Sequence, residues 1–366
     1  MFTEPVSRRV ARRGVSLLDA VAAPHGIDRF VELVAPTWST TEVRGRVVDV
    51  DRRAEGSVVL TIEANRGWTG FRAGQHTQLS VEIDGVRQTR SYSMASAAGP
   101  GRRFQLGIKA HPQGLVSRHL VANARPGLVV GLTPPAGDFH LPDVRPDRLL
   151  LISGGSGITP VLSMLRTLAA EGHDRPVTFV HYARSPRAMI AADEVRALAA
   201  AHPGVRLVTG FDDEPAAGDL VGLFTPEHLE AADPRWREAE AFVCGPPPLM
   251  DAVRAEYERA GVAHRFHQEA FTLPQLIAEA GTVCGTVRFA DSDVTADNDG
   301  RPLLVQAEAA GLRPAAGCRM GVCHTCTRTL RRGTVRNAVT GVVTSDPDVE
   351  VQVCVNVPVG DVDIAL

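Results

Sequence analysis

Four cysteines stand at a spacing suited to holding iron. Cys318, Cys323 and Cys326 lie in CRMGVCHTC, and Cys354 follows after 27 intervening residues. C-x4-C-x2-C with one distant cysteine is the plant-type 2Fe-2S arrangement. Soft sulfur ligands suit iron, and four thiolates offset the charge of two ferric ions. Gly317 and Gly321 would let the loop turn tightly enough for three sulfurs to converge. The competing reading is a structural zinc site. Zinc sites usually pair two C-x2-C knuckles, and this chain has one. The remaining cysteines read differently. Cys284 is expected to be a small buried hydrophobe, and Cys244 stands at a strand end in CGPPP.

A second constellation is SGGSGITP, residues 153–160. It follows an apolar run and opens a helical stretch. Backbone donors and a helix N-terminus at the carboxyl end of a strand suit a pyrophosphate. The loop departs from G-x-G-x-x-G, because Pro160 stands in place of the third glycine. No Gly-Lys-Ser/Thr follows, so it is not a P-loop. Taken alone, an ordinary tight turn accounts for it equally well.

The elements around these loops divide the chain. VRGRVVDV, SVVLTIE, HTQLSVEI, FQLGIKA and LVVGL, between residues 43 and 132, read as short strands separated by glycine-bearing turns. Their density predicts a small antiparallel barrel. From about residue 148 strands alternate with helices: LLLIS, VTFVHYA, VRLVTGF and AFVCG, with helices at 160–170, 193–201, 226–232 and 248–260. That alternation implies a parallel sheet covered on both faces. FTLPQLIAEAGT, residues 271–282, reads as a linker. Beyond it TVRFA, a helix near 303–310, the cysteine loop and a strand VQVCVNV, residues 351–357, form a third unit.

Composition narrows the function. The chain has 366 residues, enough for two to three domains at roughly 150 each. Its net charge of -3 gives no basic excess that would argue for nucleic acid. No apolar run approaches the ~18 residues of a membrane span. MFTEPVSRRVARRG lacks the apolar core of a secretory signal. A cytoplasmic location with reduced cysteines is therefore expected, cytoplasmic or peripheral at the inner face of the membrane. Residues 1–42 stand apart. Arg8, Arg9, Arg12 and Arg13 would share one stripe of a helix.

RSYS (90–93), GLVS (114–117), GGSGITP (154–160) and CGPPPLM (244–250) occur in that order before the cysteine loop. Together they resemble the ferredoxin–NADP reductase superfamily, in its form with a C-terminal plant-type ferredoxin domain. The resemblance covers residues 43–366. It implies a multidomain protein with an antiparallel β-barrel flavin domain at 43–142, an α/β parallel-sheet nucleotide domain at 143–270, and an α+β, β-grasp ferredoxin domain at 283–366. A helical leader (1–42) and the linker 271–282 complete it. It also implies FAD and a nicotinamide nucleotide as cofactors, beside a 2Fe-2S cluster held by Cys318, Cys323, Cys326 and Cys354.

The same resemblance assigns residues. Arg90 resembles the partner of the flavin pyrophosphate, Tyr92 the ring stacked on the isoalloxazine, and Ser93 the hydroxyl near flavin N5; Ser91 and Lys109 belong to the same cofactor-binding set. Gly114, Leu115, Val116 and Ser117 look like the helix start that favours FAD over FMN. Gly154, Gly155, Gly157 and Thr159 match the nucleotide pyrophosphate loop. Cys244, Gly245 and Pro246 match the segment facing the nicotinamide, with Cys244 a neutral shape element. Glu269 and Phe271 resemble the acid and aromatic near the flavin. Arg184, Ser185 and Arg187 follow VTFVHYA with no carboxylate before Asp193, which favours NADPH, with NADH as the second choice.

These features imply an NAD(P)H oxidoreductase that passes hydride electrons through FAD and the cluster to an oxygen-activating partner. RRVARRG, APHGIDRF and ELV in the leader are similar to the start of actinobacterial reductases of membrane-bound acyl-CoA desaturases, which makes a fatty acyl-CoA desaturase the first expectation. A basic amphipathic leader could also touch a membrane surface. The reductase component of a soluble ring-hydroxylating oxygenase, or of another monooxygenase or dioxygenase, is the alternative. A zinc-stabilised binding module is a remote one.

Overall fold

The computed structural model describes residues 35, 37–39, 42–112, 114–270, 284–317, 319, 321, 325–338 and 341–366. The expected leader helix, the linker, Phe271, Cys318 and Cys323 lie outside them, apart from a few residues at the end of the leader.

The first unit is a curled antiparallel sheet. Its strands are β1 (Val43–Asp51), β2 (Ser57–Ala64), β3 (His76–Ile83), β4 (Val86–Ser93), β5 (Arg103–Lys109) and β6 (Val129–Leu132), in the order β4-β3-β6-β1-β2-β5. The two edges meet through a bridge between Met94 and Leu106, which closes one end of the curl. Period-two alternation buries Val58, Leu60 and Ile62 of β2 with Phe104, Leu106 and Ile108 of β5. Each such side chain contributes about 1.5–3 kcal/mol by leaving water. Trp68 stacks on Phe104 at 4.3 Å. Helix α1 (Leu115–Asn123) adds Val116 and Leu120 to the same core. Strand β4, which carries RSYS, was not among the expected strands. Its outer half is too polar to show alternation.

The second unit is a parallel sheet of order β11-β10-β7-β8-β9. Its strands are β7 (Leu149–Gly154), β8 (Val177–Ala183), β9 (Val205–Phe211), β10 (Glu240–Cys244) and β11 (Phe266–Glu269). Helices α2 (Ile158–Ala170) and α3 (Ala192–Ala201) cover one face, α4 (Glu227–Ala232) and α5 (Pro247–Arg259) the other. Strand β7 shows why LLLIS is apolar throughout: Leu149 and Leu151 pack towards α2, whereas Leu150 and Ile152 pack towards α5.

The third unit is a mixed sheet of β12 (Thr286–Phe289), β13 (Val294–Asp297), β14 (Thr327–Asn337), β15 (Val343–Thr344), β16 (Val349–Gln352) and β17 (Asn356–Ile364). Helix α6 (Leu303–Ala309) packs on it through Leu303, Leu304 and Ala307. Two expectations are corrected here. VQVCVNV is not one strand: β16 ends at Gln352, residues 353–355 form a turn closed by Val355 N–H to Gln352 O at 3.1 Å, and β17 begins at Asn356. Cys354 therefore stands in a turn. Cys284 is exposed, since it precedes β12 and never reaches the core. Among the described residues no helix is long and apolar enough to cross a membrane.

Candidate functional site

The glycine-rich loop leaves β7 at the carboxyl edge of the parallel sheet, where open α/β sheets take their ligands. Gly155 adopts φ 54°, a left-handed conformation that favours glycine. Gly157 packs against the end of β10: a Cβ on it would lie 2.1 Å from the Cys244 carbonyl oxygen. Pro246 closes the far side, its Cδ 2.7 Å from a Cβ on Gly154. The loop opens on a cavity of about 410 Å³ lined by Lys109, Gly154, Gly155, Tyr182, Arg184 and Pro246. Lys109, from the end of β5, brings its ammonium to 3.7 Å from a Cβ position on Gly155. A cation, a side-chain-free loop and an apolar wall fit a dinucleotide. A wider cleft of about 950 Å³ lies at the opposite edge of the sheet. Its Arg148, Arg175 and Arg235 are already paired with Asp233, Asp147 and Glu238, so it offers little free charge to a ligand.

Other expected residues fall differently. Thr159 is buried, and its hydroxyl bonds Ser156 O at 3.1 Å. Ser185 is buried. Arg187 lines a groove with Asp51, Arg53, Asp193 and Glu194 rather than this cavity. Arg184 does line the cavity, but a carboxylate reaches it from the neighbouring strand: Asp213, just beyond β9, stands 3.7 Å from Arg184 Nε. Both side chains are exposed, so the pair is loose. Beneath the loop, Ser153 Oγ and His181 Nδ1 lie 2.9 Å apart, and burial pulls His181 down to about 3, which keeps it neutral.

The barrel and the parallel sheet meet at the ends of β4 and β11. Ser93 Oγ donates to Glu269 Oε2 at 2.9 Å. His76 Nδ1 lies 3.2 Å from Glu269 Oε1. Cys244 pairs with Glu269 in the parallel register. Burial, and then the Glu269 charge, raise the Cys244 thiol well above its ordinary range. It therefore stays neutral and makes no nucleophile. Ser93, Cys244 and Glu269 are thus brought to one seam, together with His76, which the sequence reading missed.

Strand β4 also carries Arg90 and Tyr92 on one face and Ser91 on the other. Arg90 donates to Thr89 O at 2.7 Å and has no carboxylate bonded to it among the described residues. Burial, with Arg319 adding to it, lowers its pKa. A half-buried guanidinium of this kind suits a phosphate. Burial raises the Tyr92 phenol, which remains protonated. The Ser91 hydroxyl is buried without a partner. Arg90 and Tyr92, on one face, fit an anionic, aromatic cofactor. Gly114 opens α1, and Ser117 folds back on it: Ser117 Oγ accepts His111 N–H at 3.1 Å and donates to Gly114 O at 3.3 Å. Leu115 is exposed and Val116 buried.

Of the four clustered cysteines, Cys326 and Cys354 are described. Both are buried. Hydrogen bonding from Cys354 pulls the Cys326 thiol down to about 6. Backbone amides of both residues reinforce this. Sulfurs that attract amide hydrogens fit thiolate ligands of an iron–sulfur cluster. Gly321 turns with φ 75°, whereas Gly317 does not take positive φ; Arg319 does, at 60°.

Known proteins match this division. Residues 56–141 match an oxidoreductase FAD-binding domain, residues 151–255 an oxidoreductase NAD-binding domain, and residues 287–358 a 2Fe-2S iron-sulfur cluster binding domain. An NADPH oxidoreductase of Mycobacterium tuberculosis is 37% identical over 339 residues, spanning 91% of this chain and 87% of that protein. A glycine betaine monooxygenase reductase subunit of Chromohalobacter salexigens is 32% identical over 281 residues, or 70% of this chain and 76% of its own length. Phthalate dioxygenase reductase shares the fold, with TM-score 0.61 and 23% identity over 89% of this chain and 98% of that one.

Proposed function

Since the chain belongs to the ferredoxin reductase superfamily of flavoproteins with a C-terminal 2Fe-2S domain, we propose that it is the reductase component of an oxygenase system. It is an NAD(P)H oxidoreductase with FAD, nicotinamide-nucleotide and 2Fe-2S domains. Bound together, these groups turn a two-electron hydride donor into a supply of single electrons. The zinc-stabilised module loses its ground to the 2Fe-2S match at 287–358.

The observation that carries the reading is the seam. Ser93 of the barrel is bonded to Glu269 of the parallel sheet, beside Cys244, whose carbonyl abuts Gly157 of the glycine-rich loop. A ring held by Tyr92 and a nicotinamide entering past Pro246 would meet there. Position is the main contribution a protein makes to hydride transfer. Lys109 and the Gly155 amide would hold the nucleotide pyrophosphate, and Arg90 that of FAD. Cys326 and Cys354, with Cys318 and Cys323, would hold the cluster.

The oxygenase partner is supported by the monooxygenase reductase subunit of C. salexigens. The acyl-CoA desaturase expected from residues 1–42 has no such support, and that leader lies almost wholly outside the described residues. The donor we propose is NADPH. Arg184 at the cavity and the NADPH oxidoreductase of M. tuberculosis favour it, while Asp213 moderates the preference.

The test is coupling. The holoprotein and NADPH are mixed either with a soluble terminal oxygenase or with membranes containing stearoyl-CoA desaturase. Product from the oxygenase is expected. Product from the desaturase membranes alone would overturn the partner and leave the reductase.

A further inference from the structure

The seam contains one group that the assigned chemistry leaves unused. His76 stands on β3, directly opposite Ser93 of β4 in the antiparallel register. Its Nδ1 lies 3.2 Å from Glu269 Oε1, and Ser93 Oγ donates to Oε2 at 2.9 Å. One carboxylate is therefore gripped by two side chains of the barrel, each on its own oxygen. A carboxylate oxygen accepts, so this contact needs Nδ1 of His76 to donate.

The backbone of His76 is fixed as well. His76 N–H donates to Ala136 O at 3.0 Å, and Ala136 N–H donates back to His76 O at 2.9 Å. That pair brings Gly137 against the imidazole: a Cβ on Gly137 would lie 3.0 Å from Nδ1 and 3.1 Å from Cε1. Gly137 takes φ 106°, so the chain has a special conformation where the ring needs room. The His76 and Glu269 side chains are only 10% and 14% exposed. A well-packed, little-exposed hydrogen bond between two domains fixes geometry better than an exposed pair does.

We propose that His76 is a positioning residue that fixes Glu269 so that the Ser93 hydroxyl keeps its hydrogen turned towards the carboxylate. Ser93 Oγ then has lone pairs, not a hydrogen, on its side away from Glu269. An acceptor at that place favours the reduced ring, which carries an additional N–H. Without the imidazole, Glu269 turns freely about its own side chain and Ser93 loses its fixed orientation. His76 itself touches neither substrate nor ring. The proposal rests on the reading of this seam as the hydride-transfer site.

The experiment uses the full holoprotein and three variants. His76→Phe keeps an aromatic ring of similar size but has no donor. His76→Asn places an amide nitrogen where Nδ1 lies. Ser93→Ala tests the seam. Two experiments are run: anaerobic stopped flow, which gives the limiting rate of flavin reduction by NADPH and the nucleotide dissociation constant, and dye-linked titration, which gives the flavin midpoint potential. For His76→Phe the limiting rate is expected to fall about tenfold, as loss of one charge-assisted hydrogen bond implies. Its nucleotide dissociation constant should stay near the wild-type value and its flavin potential should fall. His76→Asn should recover most of both.

Wild-type rate and potential in His76→Phe would overturn the proposal. So would equal losses in the Phe and Asn variants, because packing alone would then explain them. If Ser93→Ala also reduced at the wild-type rate, the seam reading itself would fail. A slow Ser93→Ala beside a normal His76→Phe would remove only His76.

Discussion

A methyl group on Gly157 perturbs the loop proposed for the nucleotide at a place where the structure sets the cost. An ideal Cβ there lies 2.1 Å from the Cys244 carbonyl oxygen, 2.5 Å from its carbon and 2.8 Å from the Gly245 nitrogen. Carbon and oxygen come to rest at roughly 3.3 Å, so either the loop or the end of β10 must retreat by about 1 Å. All three obstacles are backbone atoms, so no change of rotamer relieves them. Overpacking of this kind costs about 1–3 kcal/mol. A displacement of about 1 Å in a positioning segment can cost ~100-fold in rate. Gly157→Ala should therefore lose about 1–3 kcal/mol in urea unfolding of the holoprotein and bind NADPH at least ~10-fold more weakly in difference spectra, with its FAD content intact. Gly101 is the comparator. It faces open space, with nothing within 4 Å of its Cβ position, and Gly101→Ala should stay within about 0.5 kcal/mol of the parent. If Gly157→Ala matched Gly101→Ala in both stability and affinity, the loop would not depend on its contact with β10.

Three further outcomes follow from named contacts. Asp213→Asn frees Arg184, and the ratio of kcat/KM for NADPH over NADH should rise by about two- to fivefold, the scale of an exposed ion pair; a fall would mean that Arg184 does not face the ribose. Arg148→Ala strands Asp233, which is 5% exposed, and should cost about 3 kcal/mol in urea unfolding; a loss below that of a surface substitution would show that Arg235 N–H, 2.9 Å from Oδ1, satisfies the carboxylate alone. Tyr92→Ala removes a half-buried ring and should weaken FAD retention by about tenfold or more, read as flavin per protein after gel filtration; full retention would remove Tyr92 from the flavin site.

Much of this was legible in the sequence because it is local. VTFVHYA and VRLVTGF became β8 and β9 at their expected limits: β8 is buried along its whole length between the helical layers, and β9, at the sheet edge, is buried only from Val208 on. The loop at 153–160 could be read because a glycine-bearing turn between a strand and a helix is set by consecutive residues. What escaped depends on register and on neighbouring strands. His76 sits in HTQLSVEI, an ordinary alternating strand, and only its pairing with Ser93 and the bare Gly137 beside it reveal its place. Asp213 is remote from Arg184 along the chain, yet parallel neighbours β8 and β9 end side by side, so the carboxylate sought after β8 came from β9. Arg187 was read into the nucleotide site by proximity to Arg184, but the short helical turn 186–188 directs it to another groove. Cys354 was read within a strand because its flanking valines look strand-like; the break at 353–355 is a turn that carries it beside Cys326.

Electrons are expected to cross this chain from nicotinamide to flavin to cluster, and Cys354→Ser probes that path. The purified variant is mixed anaerobically with NADPH while flavin and iron–sulfur absorbance are followed together. The flavin should bleach at the parent rate, the cluster bands should be missing, and reduction of cytochrome c should fall while that of ferricyanide continues. Full cluster absorbance in Cys354→Ser, or a flavin that NADPH no longer reduces, would contradict it.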